Sequence, residues 1–262
     1  MRHTLDIDGR TLSYLDFGGT GRPLLALHGG MSEAAAFTGL AAALGDQWRV
    51  IAPDQRGHGD SDRAPHYRRE GYVADAVALL DHLGLTEPVA LLGYSLGGLN
   101  AYHLAAAHPD RIGVLIGVDA TVDINVPDGP QWFDFLGALP YTAPTREELL
   151  AAVDPAALPF VADGVRPLPG GDGWRLAFHG QDMLDSIRAC NGDHWDTWLT
   201  GTCPALLIRA THSQALSQEV ADAMVARRPG TAYTTLDGDH FVPFTDPEGF
   251  HAAVAKYLAE VA

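Results

Sequence analysis

The stretch Pro88-Val-Ala-Leu-Leu-Gly-Tyr-Ser-Leu-Gly-Gly98 decides how the rest of the chain is interpreted. It begins with a short apolar run, which predicts a buried strand. Residues 99–107 have a helical composition, so Ser95 stands at a sharp turn between a strand and a helix. Glycines at 93 and 97 suit such a turn, because larger side chains there would collide with the flanking elements. This context predicts a nucleophile elbow rather than a chance G-x-S-x-G match.

Composition limits the classes of protein that the chain can belong to. Its 262 residues suffice for one domain with a substantial core. The net charge of −16 makes nucleic acid and anionic membrane poor partners, so we expect a small-molecule substrate. The two cysteines, Cys190 and Cys203, are too few for a disulfide framework and lack the spacing of metal ligands. The start of the chain has no apolar signal core and no stretch approaches about 18 apolar residues, so we expect a cytoplasmic protein.

Strand and helix patterns alternate along most of the chain. A polar–apolar alternation around Asp8-Gly9 predicts a hairpin. Short apolar runs predict buried strands at 24–27, 48–52, 89–92, 111–118, 205–208 and 231–236. Helical patterns are found at 32–44 with Ser32 as the cap, 69–83, 99–107, 218–228 and 247–261 with Asp246 as the cap. This order favours a mostly parallel sheet with helices on both faces.

The pattern changes between residues 121 and 198, which we name the lid segment. Prolines and tryptophans recur there, and short helical pieces replace the regular alternation. We interpret the lid segment as an insertion that is too short and broken for a core of its own. Residues 1–120 and 199–262 then form the core of the molecule.

Five polar residues follow predicted strands: His28, Asp54, Ser95, Asp119 and His240. Ligand sites in open parallel sheets lie at the carboxyl ends of the strands. We therefore expect these side chains to lie close together in one site.

Four pieces of the sequence, in this order, resemble the α/β-hydrolase superfamily. They are His28-Gly-Gly30, Asp54-Gln-Arg-Gly-His-Gly-Asp-Ser61, Gly93-Tyr-Ser-Leu-Gly-Gly98 and Gly238-Asp-His240. The resemblance spans nearly the whole chain. It implies an α/β-hydrolase fold with an eight-stranded sheet, a helical lid after the sixth strand, a Ser–His–acid triad, no cofactor and no metal. Within the superfamily the chain resembles the esterases and lactonases, since Ser95 excludes the branches that use an aspartate nucleophile.

The resemblance and the chemistry of the residues together suggest catalytic roles. Ser95 is the expected nucleophile, and His240 is the expected general base, because imidazole transfers protons near neutral pH. The backbone N–H groups of Gly30 and Leu96 are the expected oxyanion donors. We expect His28 to form hydrogen bonds within its own loop rather than to react.

The triad acid departs from the family pattern. Most relatives carry an aspartate shortly after the strand that corresponds to 205–208, but here Arg209 to Gln218 contain no carboxylate. Three interpretations remain open. Asp119, at the end of the sixth strand, is the acid, with Asp123 as a second candidate after it; His212 or Gln214 orients His240 as a neutral partner; or the triad is degraded and the reaction is not ordinary hydrolysis.

Aromatic and apolar residues near the site are expected to line a substrate pocket. The candidates are Met31, Tyr94, Trp132, Phe133 and Phe241. The lid aromatics Trp132, Phe133, Phe135, Tyr141 and Trp174 are equally consistent with a small core within the lid segment.

The sequence as a whole favours a serine hydrolase that cleaves a carboxylic ester or lactone of a small, mostly apolar metabolite. One alternative is a lyase or cyclase of specialised metabolism that uses the same Ser95–His240 pair without an acyl-enzyme. The other is a ligand-binding relative without catalytic activity.

Overall fold

The centre of the molecule is an eight-stranded, mostly parallel sheet, which confirms the predicted fold class. A computed structural model of the chain describes residues 1–125, 133–153, 155 and 158–261. The strands of the sheet are β1 (Arg2–Ile7), β2 (Arg10–Asp16), β3 (Arg22–Leu27), β4 (Trp48–Pro53), β5 (Val89–Tyr94), β6 (Ile112–Val118), β7 (Ala205–Ala210) and β8 (Thr231–Leu236). They lie in the order β1-β2-β4-β3-β5-β6-β7-β8.

Strand direction follows from how the strands are connected. The strand β2 is antiparallel to both of its neighbours, β1 and β4, and every other adjacent pair is parallel. The β1–β2 hairpin turns at Asp8 (φ 51°) and Gly9 (φ 79°). Two consecutive positive φ values are the geometry that Asp-Gly turns favour, so the predicted hairpin is confirmed.

Helices cover both faces of the sheet. In the described part of the chain they are α1 (Thr38–Leu44), α2 (Arg69–His82), α3 (Leu96–Ala107), α4 (Phe135–Ala138), α5 (Arg146–Ala151), α6 (Leu158–Val161), α7 (Gly180–Ala189), α8 (Trp195–Thr200), α9 (Gln218–Arg227), α10 (Val242–Thr245) and α11 (Pro247–Val261). Short 3-10 turns lie at Ala34–Phe37, Gly45–Gln47 and Ala162–Gly164. None of the helices in these described ranges is both long and apolar enough to cross a bilayer.

Two helix caps had been predicted, and their outcomes differ. Asp246 accepts a hydrogen bond from the backbone N–H of Gly249 at 3.0 Å, as expected for the cap of α11. The prediction that Ser32 caps the helical segment that ends at Leu44 is wrong. That helix begins with the 3-10 turn after Glu33, and the N–H of Ala34 donates to Oδ1 of Asp54 at 2.8 Å. The cap therefore comes from another loop, which local sequence does not reveal.

The strands contribute alternate side chains to two hydrophobic clusters, one on each face of the sheet. In β5, Leu91 belongs to the cluster that includes residues of α2, α3 and α9. Its neighbours Ala90 and Leu92 belong to the cluster that includes residues of α1 and α11. Such an alternation buries both faces of a strand, which explains why the strands are apolar throughout.

The lid segment lies in the chain between β6 and β7. At its base, Asp123–Ile124 pairs antiparallel with Gly192–Asp193. Ten of its residues form a hydrophobic cluster separate from those beside the sheet, among them Phe133, Leu149 and Phe178. The expectation that the segment lacks a core of its own is therefore wrong. Each of its helices and strands is too short to bury its apolar side chains alone, but together they form a common cluster.

Candidate active site

The elbow has the geometry that its sequence predicts. Ser95 lies between β5 and α3 with φ 52° and ψ −116°, a backbone conformation that residues other than glycine rarely adopt. A Cβ atom on Gly97 would lie 2.0 Å from the carbonyl oxygen of Leu27, and one on Gly93 would lie 2.2 Å from that of Gly97. Both glycines are therefore required for the close approach of strand, turn and helix.

The imidazole of His240 lies beside the hydroxyl of Ser95. The distance from Ser95 Oγ to His240 Nε2 is 2.8 Å. His240 is in the loop after β8, and its carbonyl oxygen accepts a hydrogen bond from the hydroxyl of Tyr94 at 2.9 Å. Burial raises the pKa of Tyr94, with Asp119 and Asp239 adding to the effect, so the tyrosine keeps the proton that it donates.

Asp119 follows β6 and faces the other nitrogen of the same ring. Its Oδ2 is 2.7 Å from Nδ1 of His240, and its side chain has no exposed surface. A carboxylate only accepts, so Nδ1 carries a proton and Nε2 accepts from Ser95. This separation is within the range that the relocated acid requires. The catalytic roles of Ser95, His240 and Asp119 remain predictions.

The two neutral partners that had been considered for His240 have other surroundings. Nε2 of His212 lies 3.5 Å from Oδ1 of Asp237, and the backbone N–H of His212 donates to the carbonyl oxygen of Gly238 at 2.8 Å. Gln214 is exposed at the wall of the cavity beside Ser95. The contact with Nδ1 of His240 is made by Asp119.

The expected oxyanion donors flank the elbow. Leu96 is the first residue of α3, and the N–H groups in the first turn of a helix have no intrahelical acceptor. Gly30 lies in the loop after β3, and a Cβ on it would lie 2.8 Å from Cε of Met183 in α7. Both residues line the same cavity as Ser95. Their role in binding an oxyanion stays a prediction.

His28 fixes the loop that carries Gly30. Its Nε2 accepts from the N–H of Gln55 at 3.0 Å, so Nδ1 donates to the carbonyl oxygen of Gly29 at 2.7 Å. Burial, reinforced by the nearby His58, lowers the pKa of His28 to about 3. The ring is therefore neutral at pH 7, as expected for a residue that shapes its loop.

A cavity of about 750 Å³ opens beside Ser95. Four of the five predicted pocket residues line it, namely Met31, Tyr94, Phe133 and Phe241. The fifth, Trp132, lies outside the described residues. Much of the remaining wall is apolar, with Leu99, Phe135, Leu136, Met183 and Ile187. The described lining also includes three acidic side chains, Asp119, Asp123 and Asp239, and no lysine or arginine.

The lid aromatics divide between the two roles that had been considered for them. Phe133 and Phe135 line the cavity. Tyr141 and Trp174 pack against the hydrophobic cluster of the lid segment. Phe133 also belongs to that cluster, so one side chain can serve both the lid core and the pocket wall.

Sequence reasoning overlooked one residue of the site, Ser213. Its hydroxyl donates to Oδ2 of Asp119 at 2.5 Å. From the loop after β7, the sequence suggested His212 and Gln214 as partners of His240, but no partner for Asp119. This contact could have been predicted only with the knowledge that β6 and β7 are neighbours in the sheet.

Comparisons with known proteins place the chain in a family. The sequence pattern described as the alpha/beta hydrolase fold matches residues 22–247. The chain belongs to the α/β-hydrolase family. It is 30% identical to lipase LipV of Mycobacterium tuberculosis, covering 90% of this chain and 92% of that protein. It is 28% identical to 2-(acetamidomethylene)succinate hydrolase of Mesorhizobium japonicum, covering 92% of this chain and 89% of the relative.

A solved structure agrees in overall shape with this member of the α/β-hydrolase family. The crystal structure of an E-2-(acetamidomethylene)succinate hydrolase matches with a TM-score of 0.81 at 25% identity, covering 99% of both chains. The similarity to esterases and hydrolases confirms the predicted family. It does not specify a substrate for this chain.

Proposed function

We propose that the protein is a serine hydrolase that cleaves a carboxylic ester or lactone of a small, mostly apolar metabolite. The observation that carries the proposal is the pair of contacts on one imidazole: Ser95 Oγ at 2.8 Å from Nε2 of His240 and Asp119 Oδ2 at 2.7 Å from Nδ1. A nucleophile, its base and the group that orients the base are the parts that acyl transfer needs.

The proposed reaction has two halves. The oxygen of Ser95 attacks the carbonyl carbon while its proton passes to Nε2 of His240. The N–H groups of Gly30 and Leu96 stabilise the oxyanion that forms, and Asp119 stabilises the charged imidazole. When the tetrahedral intermediate collapses, the leaving alcohol takes the proton from His240. Water then attacks the acyl-enzyme with His240 as base, which releases the acid and restores Ser95.

The lining of the cavity supports an uncharged, mostly apolar substrate. Phe133, Leu136 and Met183 offer apolar contact area for an acyl group. Transfer of the acyl group from water to this surface is favourable in free energy. The carboxylates of Asp123 and Asp239 disfavour an anionic substrate. We therefore expect the substrate to differ from the succinate for which one relative is named. A small-molecule substrate also accords with a net charge of −16, which disfavours nucleic acid and anionic membrane as partners.

A fluorophosphonate probe tests the nucleophile directly. We expect rapid covalent labelling of the native protein at Ser95, found by mass spectrometry of peptides, and no labelling of Ser95→Ala. Ser217→Ala is the matched control, because Ser217 caps α9 through the N–H of Val220. It should label like the native protein. Native protein that stays unlabelled would overturn the acyl-enzyme mechanism.

A substrate panel then tests the proposed substrate class. We expect turnover of p-nitrophenyl esters of graded acyl length or of lactones, and at least a thousandfold loss, roughly, in Ser95→Ala. p-Nitrophenyl hexanoate should be a better substrate than the half p-nitrophenyl ester of adipic acid, which has the same carbon chain with a terminal carboxylate. Equal kcat/KM values for the two would contradict the preference for an uncharged substrate.

A further inference from the structure

The carboxylate of Asp119 receives three hydrogen bonds from named donors. Oδ2 lies 2.7 Å from Nδ1 of His240 and also accepts from the hydroxyl of Ser213 at 2.5 Å. Oδ1 accepts from the backbone N–H of Ala210 at 3.0 Å. The side chain of Asp119 has no exposed surface. Protein donors rather than bulk water therefore fix the orientation of this carboxylate.

The hydroxyl proton of Ser213 has a defined direction. Its Oγ accepts from the N–H of Ala215 and from the N–H of Leu216, each at 3.0 Å. A serine hydroxyl has two acceptor positions and one proton. Both acceptor positions are used by the loop, so the single proton points at Asp119. Ser213 is therefore a fixed donor rather than a freely rotating one.

The backbone conformation of Asp119 is unusual, so contacts from neighbouring elements help to hold this residue in place. It follows β6 with φ 48°, so its backbone is in the left-handed region that aspartate tolerates but does not prefer. Its backbone N–H donates to the carbonyl oxygen of Ile208 in β7 at 2.8 Å. The backbone of Asp119 and one of its oxygens are thus held by β7, and its other oxygen is held by the loop that follows.

We propose that Ser213 is a positioning residue for the catalytic acid: its hydroxyl holds Oδ2 of Asp119 in the orientation that selects the Nδ1–H form of His240. The inference rests on the proposed function, in which His240 is the base for Ser95. Ser213 keeps its proton throughout, and it forms no bond to substrate. Its effect on the reaction passes through Asp119 and the ring of His240.

A graded series at position 213 tests the proposal. Ser213→Thr keeps the hydroxyl, Ser213→Cys keeps only a weak donor and acceptor, and Ser213→Ala removes both. We expect kcat to fall about tenfold in Ser213→Ala, with Cys between Ala and Ser and Thr near the native value, because hydrogen bonds to a charged group are strong. KM should change by less than about twofold, because Ser213 does not contact the substrate.

Ser217→Ala is the control for loop stability. It removes the cap of α9 in the same stretch of chain without touching Asp119. We expect a lowered Tm but native kcat and an unchanged pH profile. In Ser213→Ala the acidic limb of the kcat/KM profile should move, since a loosened loop alone would lower Tm without shifting that limb. An unchanged limb with native kcat in Ser213→Ala, or equal kcat losses in Ser213→Ala and Ser217→Ala, would overturn the proposal.

Proton NMR separates this inference from the proposed function. The proton on Nδ1 of His240 gives a downfield resonance when it is held by a carboxylate, and its observation needs no turnover. We expect Ser213→Ala to shift or broaden that resonance and Ser213→Thr to preserve it. A native protein without esterase activity or fluorophosphonate labelling would defeat the proposed function, and with it the catalytic meaning of the contact. An unmoved resonance in Ser213→Ala would defeat the positioning role even in an active enzyme.

Discussion

The β5–α3 unit and the lid segment are built in different ways. All six residues of β5 are buried, and all but Gly93 alternate between the hydrophobic clusters on the two faces of the sheet. The described part of the lid segment contains two-residue strands, a 3-10 turn and helices of four to ten residues around its own small cluster. Its helix α7 makes polar as well as apolar contacts with the core. Asp182 accepts from Arg63 and from Tyr67, with distances of 2.5 to 2.7 Å.

We propose that this difference separates reactivity from recognition. The contacts among Ser95, His240 and Asp119 all lie at the ends of strands in the core. The lid segment contributes much of the apolar cavity wall, such as Phe133 and Met183. A reacting group must hold its geometry closely, which a packed sheet provides, whereas a pocket wall can vary with the substrate. The experiments below test this division.

The largest effect is expected at the end of β6, within the core. Asp119→Asn should lower kcat by roughly 10³–10⁴, because an amide can hold the imidazole in the tautomer that cannot accept from Ser95. Asparagine tolerates a positive φ, but its NH2 group would face either Ala210 N–H or the Ser213 hydroxyl, so the free energy of unfolding should also fall by about 1–3 kcal/mol. Steady-state kinetics and urea unfolding on the same preparation measure both quantities. Near-native kcat would mean that Asp119 is not the triad acid, and His212 and Gln214 would become the residues to test.

A smaller effect is expected where α7 meets the core. Asp182→Ala removes the acceptor of Arg63 and Tyr67 and should cost about 2 kcal/mol in the free energy of unfolding. Hydrogen exchange in native protein should be slowest in β5 and α3, intermediate in α7 and fastest at 142–153 and 158–175. In Asp182→Ala the exchange of α7 alone should accelerate. Uniform protection across the lid segment and the β5–α3 unit would contradict the division between them.

The most gradual effect is a pH dependence of stability that arises from buried histidines and develops over several pH units. Burial, with His58, lowers the pKa of His28 to about 3, and burial, with His194, lowers that of His103 to about 4, from an ordinary value of 6.5. Below pH 6.5 the unfolded chain binds protons that the folded chain does not, so stability falls as the pH falls. This loss continues down to about pH 4 for His103 and about pH 3 for His28.

The slope of the free energy of unfolding against pH is the quantity to measure. Each histidine contributes at most about 1.4 kcal/mol per pH unit, and His103 contributes less because it is only partly buried. Urea unfolding at pH 7, 6, 5 and 4 measures the slope, and His103→Gln should flatten it. His103 Nε2 lies 3.1 Å from Nδ1 of His194 in the lid segment, so this variant also probes the boundary between the two regions. Stability that rises toward pH 4 would refute the assignment.

The sequence predicted the core more closely than the lid segment for a physical reason. Strands such as β5 and helices such as α11 are determined by periodicities within one short stretch of chain. The elbow at Ser95 depends on its own glycines, so it too was predictable. The contact of Asp119 with His240 joins residues 121 positions apart, and no local pattern encodes it.

The residues that sequence reasoning missed share one property. Ser213 acts on a carboxylate supplied by β6, and Asp54 caps a turn at Ala34. Each is a short polar side chain whose partner is brought close only by the order of strands in the sheet. The lid cluster was missed for a related reason, since its members come from several short elements whose patterns are individually too weak to predict burial.

The short ribbon of Asp123–Ile124 with Gly192–Asp193 has a consequence for how such enzymes diversify. Beside it, the N–H of His194 donates to the carbonyl oxygen of Val122 at 2.8 Å, so the chain leaves and re-enters the core at one closed point. The part of the lid segment between these two strands is therefore joined to the core at a single place. A single gene recombination with both junctions in this ribbon would replace the part of the pocket wall that the lid segment supplies and leave the strand ends that bear Ser95, Asp119 and His240 untouched.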